Sequence, residues 1–258
     1  MDSPAQWDDI AAIFAEEIRT RYYGLRPEDE ISPSVDSTLR TNTELVPRRT
    51  QQVLDWGHEL LGSSLRGLRV LEAGCGFGAF ASYIAWEERP SEVVACDVDE
   101  RVLDVARHAT ARLELGSPVV VANADMRDLS AFDDASFDVL ILNNSFIYLP
   151  TAADQRQALV ELRRVLKPGG AMVAYHANKW QLREPFTKAP LVHLVPTRIA
   201  DSLPGEHNHG RVRYVSPREM RHLMQAAGFV RPRLLTRPGA RGPIAKHLTT
   251  FYCVGATG

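Results

Sequence analysis

The residues best suited to hold a ligand fall in three turns. Glu72-Ala73-Gly74-Cys75-Gly76-Phe77-Gly78 follows a short apolar run and precedes a helical pattern starting near Ala79. Glycines there let the backbone approach a ligand closely and leave amide N–H groups to meet its polar atoms. Gly74, Gly76 and Ala79 also satisfy the relaxed dinucleotide pattern, so this loop alone does not choose among nucleoside ligands. Asp97, about twenty residues further on, offers two oxygens to a ribose diol. Asp125, in Asn123-Ala124-Asp125-Met126, is placed to accept from an exocyclic adenine amine. Should the acceptor be a hydroxyl or an acidic carbon, a general base raises the rate. His176 is the first candidate by position and Tyr175 beside it the second.

These turns need strands to position them. LRVLEAG at 68–74, EVVACD at 92–97 and PVVVANAD at 118–125 alternate with segments of helical apolar spacing. FDVLILNN at 137–144 and AMVAYH at 171–176 add two more strands, around a helix from about Asp154 to Leu166 that Lys167-Pro168-Gly169-Gly170 should stop. Between the second and third strands Asp99 stands where an N-cap is expected. Five strands separated by helices predict a parallel sheet buried on both faces, with ligands at the carboxyl ends of the strands. Residues 5–20 and 44–62 read as two amphipathic helices joined by a loop at 26–38. Ser216 with Glu219 signals a capped helix to Ala227, and 230–237 and 247–255 are two closing strand candidates.

As an ordered set, VLEAGCGFGAF, VVACDVD, ANADMRDL, SFDVLILNNSFIYL and LKPGG resemble the motif series of class I S-adenosylmethionine-dependent methyltransferases. The likeness covers about 68 to 176, with AAGF at 226–229 and the closing strands in agreement. It implies one doubly wound, mainly parallel, seven-stranded α/β domain of Rossmann-like type. Residues 1–62 would be an N-terminal helical cover, 63–176 the cofactor-binding core, 177–215 a lid inserted after the fifth strand, and 216–258 a C-terminal helix and strand pair. It also implies S-adenosylmethionine as cofactor and S-adenosylhomocysteine as product. Glu72, Gly74, Gly76 and Gly78 would hold the methionine part, Asp97 with Val98 the ribose, Asp125 and Met126 the adenine, and Asn143 the region beneath the sulfonium. Arg48 and Arg49 would reach the cofactor's carboxylate if their helix folds over the pocket.

Charge bears on the acceptor. The chain carries a formal −2, yet residues 179 to 247 hold 13 Lys/Arg against 4 Asp/Glu, leaving −11 for the rest. That window suggests a small anionic acceptor, with Arg198, Arg211 and Arg213 as candidate clamps. The mildly acidic pI and the lack of a recognisable RNA-binding module argue against nucleic acid. A second class, short-chain NAD(P) oxidoreductases, is brought to mind by Asn143-Asn144 and Tyr175-x-x-x-Lys179. Those enzymes need the Tyr–Lys pair on one helix, one turn apart, whereas Tyr175 falls in a strand pattern. RNA methylation and a non-catalytic cofactor-binding subunit are the remaining alternatives. His193, His207 and His209 lack metal-ligand spacing, and no metal is expected. Cys75, Cys96 and Cys253 are too few and too scattered for a disulfide framework. With no signal-like start and no run of about eighteen apolar residues, the expected location is the cytoplasm and no membrane span is expected.

Overall fold

The computed structural model describes residues 6–180, 212–235 and 251–258, with 251–253 described by backbone alone. Seven strands form one sheet: β1 (Arg69–Ala73), β2 (Glu92–Asp97), β3 (Val119–Asn123), β4 (Phe137–Asn143), β5 (Leu166–Ala177), β6 (Val230–Leu235) and β7 (Phe251–Thr257). Their order is β3-β2-β1-β4-β5-β7-β6. Pairings from β3 through β5 are parallel, and β7 runs antiparallel to both β5 and β6. Chain order reverses between β1 and β4, and such a switch point opens a crevice at the strands' carboxyl ends.

Neighbouring residues on a strand face opposite ways, and each face meets its own helices. Val70, Val93, Ala95, Val139, Ile141 and Val173 belong to one core cluster. It includes buried residues of α1 (Trp7–Glu17), α3 (Val46–Leu61), α4 (Ala79–Glu87) and α5 (Glu100–Ala111). Leu71, Val94, Cys96, Leu140, Leu142 and Met172 belong to the other, with α6 (Ala152–Val165) and α7 (Pro217–Ala226). Asp99 caps α5 by accepting from the Arg101 amide at 3.0 Å. Ser216 caps α7 through Glu219 N at 3.2 Å, while the Glu219 carboxylate bonds Arg213.

Two expectations are corrected. Residues 26–38 are not all loop, because α2 (Pro33–Thr41) lies largely within them. Pro33 starts that helix, where its missing N–H costs nothing, and Ser32 Oγ accepts from the Val35 amide at 3.3 Å. Lys167-Pro168-Gly169-Gly170 is not a turn ahead of the fifth strand. The chain passes from α6 directly into β5, and Leu166 pairs with Phe137 before Ala171 resumes the ladder opposite Val139. Four residues thus bulge opposite Asp138, with Gly169 at φ +78° and Gly258 N donating to Gly170 O at 2.9 Å.

The N-terminal cover is tied down by aromatic and ionic contacts. Trp7 meets Tyr83 edge-on at 5.0 Å, and Arg112 pairs with Glu16 and Glu17 at 2.8 and 2.5 Å. A π-helical turn (Ile18–Tyr22) continues α1 and brings Tyr22 edge-on to Phe77 of the glycine loop at 4.9 Å. Among the described residues, no helix is long and apolar enough to cross a membrane.

Candidate active site

A cavity of about 630 Å³ opens at the switch point. Its floor comes from the ends of β1, β2 and β4 and the turn after β3, through Glu72, Gly74, Gly76, Asp97, Val98, Asp125, Met126 and Asn143. These eight were expected cofactor residues. The ninth, Gly78, packs elsewhere: at φ +78° it caps α4, and a Cβ there would lie 3.0 Å from the Ala106 side chain. Gly78 therefore sets how closely α4 approaches α5 and is absent from the cavity wall.

The glycine loop is shaped from both sides. The amides of Gly74 and Cys75 donate to the Cys96 carbonyl at 2.7 and 2.9 Å. A Cβ on Gly74 would sit 2.2 Å from the Ser145 Cβ, which no side chain could tolerate, and Ser145 Oγ donates to the Ala73 carbonyl at 2.6 Å. Gly76, at φ +54°, has nothing within 4 Å of a built Cβ, so this stretch of backbone faces open cavity. Asp97 holds the loop: Oδ2 accepts from Gly76 N at 2.9 Å, and Oδ1 from Val98 N and Asp99 N at 2.7 and 3.1 Å. A carboxylate has about four acceptor positions, so room for a further donor remains.

The other two acids differ from it. Glu72 is fully buried, and its Oε2 has no hydrogen-bond partner. Burial, reinforced by the charge of Asp97, pushes its carboxyl well above the usual range. Asp125 is half-buried and forked by Arg127, whose Nε lies 3.0 Å from both carboxylate oxygens. Hydrogen bonding to that guanidinium holds Asp125 below its ordinary value. Arg127 also bonds Asp154 at 3.0 Å, at the start of α6.

The domain of residues 71–174 matches a family model described as "Methyltransferase domain". Over 145 residues the chain is 34% identical to a demethylmenaquinone methyltransferase of Clavibacter sepedonicus, covering 56% of this chain and 54% of that one. Residues 71–174 are a methyltransferase domain by the family-model match, and the fold is one shared with S-adenosylmethionine-dependent methyltransferases of known structure. Over 216 residues the chain is 27% identical to an S-adenosyl-L-methionine-dependent Diels-Alderase of Talaromyces variabilis, covering 82% of this chain and 66% of that one. The chain spans about half the length of most of the curated relatives it matches. Among solved structures, magnesium protoporphyrin IX methyltransferase of Synechocystis PCC 6803, with bound SAH, shares the fold at a TM-score of 0.57 and 17% identity. That match covers 95% of this chain and 98% of the other.

Within this methyltransferase fold the remaining expected site residues sit apart from the cavity. His176 is fully buried, its ring 5.7 Å from that of Phe146, and burial pushes its pKa down to about 3. Tyr175 pairs with Asn143 in the β4–β5 ladder and lies 6.1 Å from Trp56. Neither lines the cavity. Tyr175 and Lys179 share no helix, since the former is in β5 and the latter follows its end, so the oxidoreductase pairing lacks its geometry. Arg213 is engaged by Gln155 and Glu219. His193, His207, His209, Arg198, Arg211 and most of the expected lid lie outside the described residues. No cluster of metal-ligating residues occurs among the described ones.

Sequence reasoning missed the second wall. Thr41, Asn42, Val46 and Arg49 line the cavity from the end of α2 and the start of α3, as do Tyr148, which ends the 3₁₀ turn after β4 (Phe146–Tyr148), and Leu149 and Pro150 beyond it. Only Arg49 had been singled out. Asn144 was also missed as a wall residue. It stands at φ +57°, with its amide donating to the Tyr175 carbonyl at 2.7 Å and its Oδ1 accepting from Ala177 N at 3.1 Å. Asparagine tolerates that left-handed conformation better than most residues, and the doubled Asn143-Asn144 was its available signal.

Proposed function

We propose that this chain transfers a methyl group from S-adenosylmethionine to a small-molecule acceptor. The observation that carries the reading is a single cavity joining Glu72, the open backbone of Gly76, Asp97 and Asp125. Its volume falls in the range of about 300–1,000 Å³ usual for small-molecule sites. The residues present fit that cofactor. The orphaned Glu72 oxygen suits an ammonium group, Asp97 can accept from a ribose hydroxyl, and Asp125 from an amine on the base. Met126 and Val98 supply apolar contact, and Asn143 lies beneath the reacting end.

The cofactor brings its own leaving group as a sulfonium, so the chain's work is mainly alignment and exclusion of water. Asn144 and Ser145, braced by β5 and β1, hold the rim of β4 in place. Thr41, Asn42, Val46, Tyr148, Leu149 and Pro150 form the part of the cavity left for an acceptor. Anionic metabolites are the first class to screen, because of the +9 window at 179–247. The demethylmenaquinone methyltransferase named above, and a malonyl-[acyl-carrier protein] O-methyltransferase of Serratia marcescens at 35% identity over 121 residues, support small acceptor groups.

The test is incubation of purified protein with S-adenosylmethionine and acceptor pools, with quantitation of S-adenosylhomocysteine. Product methylated in proportion to S-adenosylhomocysteine supports the reading. The similarity over 82% of the chain to a Diels-Alderase favours one second reading, a cofactor-dependent cycloaddition in which no methyl group is transferred. Acceptor conversion without S-adenosylhomocysteine would identify that case.

A further inference from the structure

A groove of about 300 Å³ lies between α7 and β6, lined by Pro217, Arg218, Arg221, His222 and Leu234, and shares no lining residue with the cofactor cavity. Arg218, Arg221 and His222 stand at i, i+3 and i+4 of α7, so they share one face of the helix, and all three are exposed. Arg221 spends its Nε on the Pro232 carbonyl at 3.1 Å, which ties α7 to β6 and leaves its terminal N–H groups without a partner among the described residues. Arg218 and His222 form no hydrogen bond or ion pair with any described residue. The only acid of α7, Glu219, does not line the groove and is bonded to Arg213.

Two guanidinium groups and an imidazole, with no acid among the described residues that line the groove, make a site for an anion. Part of the positive charge of residues 179–247 is thus gathered in one place. It lies at the same end of the sheet as the cavity, since Leu234 pairs with Val254, Val254 with Ala174, and Ala174 with Leu142, the residue before Asn143. Three strand spacings, about 14 Å, separate the two, so the groove is a site in its own right. Its donors select the anion. Three basic groups from separate residues match the three strongly accepting oxygens of a phosphate monoester, whereas a single guanidinium already satisfies a carboxylate. Pro217 and Leu234 add apolar walls for the group esterified to that phosphate.

We propose that the groove between α7 and β6 binds the phosphate monoester end of a small molecule, with Arg218, Arg221 and His222 as its donors. The site stands outside the cofactor cavity and does not depend on the cofactor reading. Its volume, at the low end of the range of about 300–1,000 Å³ for small-molecule sites, suits a compact ligand.

Phosphorus NMR titration of the purified chain with phenyl phosphate tests it, with inorganic phosphate and benzoate as competitors. Phenyl phosphate should bind saturably. Displacing it should take several-fold more inorganic phosphate, which lacks the apolar group, and more benzoate still. Arg218→Ala and His222→Ala should each weaken binding about 3- to 10-fold, and Arg218→Lys should recover part of the loss. Arg231→Ala, which removes an exposed cation near the start of β6 and outside the groove, should change it less than about twofold. No saturation by about 20 mM would overturn the proposal, as would an equal loss in Arg231→Ala. Inorganic phosphate competing as well as phenyl phosphate binds would overturn the monoester assignment, and benzoate doing so would overturn the choice of phosphate. A loss confined to Arg49→Ala would put the ligand in the cavity and overturn the site.

Discussion

The two walls of the cavity are built on different principles. On the strand-end wall, Asp97 is held by three backbone amides and Asp125 is gripped by Arg127, so the groups are set in place by the protein itself. On the helical wall the Arg49 guanidinium has no hydrogen-bond or ion-pair partner among the described residues. Glu72, at the end of β1, belongs by position to the first wall and by its orphaned oxygen to the second. Preorganised groups cost little to bind against, whereas isolated polar groups hold free energy that only a ligand can recover. One wall sets geometry, and the other, with Glu72, responds to occupancy.

The sharpest way to break this contrast is Asp97→Ala. Losing three charge-assisted hydrogen bonds should free the glycine loop and weaken S-adenosylhomocysteine by about 100-fold or more. Calorimetry checks it. A loss under about threefold would mean that the loop's shape is held by the close packing of Gly74 against Ser145 alone, and that Asp97 sets nothing.

Legibility follows the same division. The floor was readable because each acid ends a strand, and strand ends are marked by apolar runs giving way to Gly, Asp or Asn. Asp99 as a cap and Gly74 as a close-approach glycine were recognisable for the same local reason. The helical wall was not readable. Thr41, Asn42 and Val46 reach the site through contacts between segments far apart in sequence, with the Trp7 indole N–H donating to the Thr43 carbonyl and Trp56 of α3 lying 6.1 Å from Tyr175 of β5. His176 misled because sequence shows that a residue ends a strand but not which way it points. Its ring turned into the core, against Phe146.

His176 provides the next test, since it shows whether the end of β5 serves either wall. A buried neutral histidine with a pKa near 3 cannot take up the proton that the unfolded chain binds below about 6.5. Its contribution to stability is therefore complete above that pH and declines as the pH falls toward 3. At pH 5 the decline amounts to about 2 kcal/mol. Urea unfolding at pH 7 and pH 5 should show the difference in the wild type, and His176→Gln should remove most of it. A pH–rate profile that loses an inflection in this variant would instead return His176 to the chemistry.

Glu72→Gln should move stability and binding in opposite directions. Burial raises the Glu72 pKa, so keeping the folded protein's carboxylate ionised costs nothing below about 4.5 and increasingly more as the pH rises. The ligand-free variant should therefore be more stable than the wild type at neutral pH, by roughly 1–2 kcal/mol, and the gap should close toward pH 4.5. Its affinity for S-adenosylhomocysteine should drop about tenfold, since an amide is a poorer partner for an ammonium. Thermal unfolding with and without ligand measures both. If stability and affinity fell together, Glu72 would belong wholly to the preorganised wall.

The smallest effect is expected at Arg127, and it separates positioning from direct contact. Its guanidinium is partly exposed, with 43% of the side chain accessible, so solvent screening limits each ion pair to about 1 kcal/mol or less. Arg127 nevertheless joins Asp125, the acid assigned above to the amine of the base, to Asp154, whose carboxylate also accepts from Thr151 at the start of α6. Arg127→Ala should weaken S-adenosylhomocysteine only about threefold, with adenosine weakened by the same factor because the defect lies at the base end. The tail anchored at Glu72 should be unaffected, so 5′-methylthioadenosine should lose as much as S-adenosylhomocysteine does. Equal losses for the three ligands would put the defect at the base end of the cavity, whereas a loss confined to S-adenosylhomocysteine would overturn the assignment of Asp125 to the base.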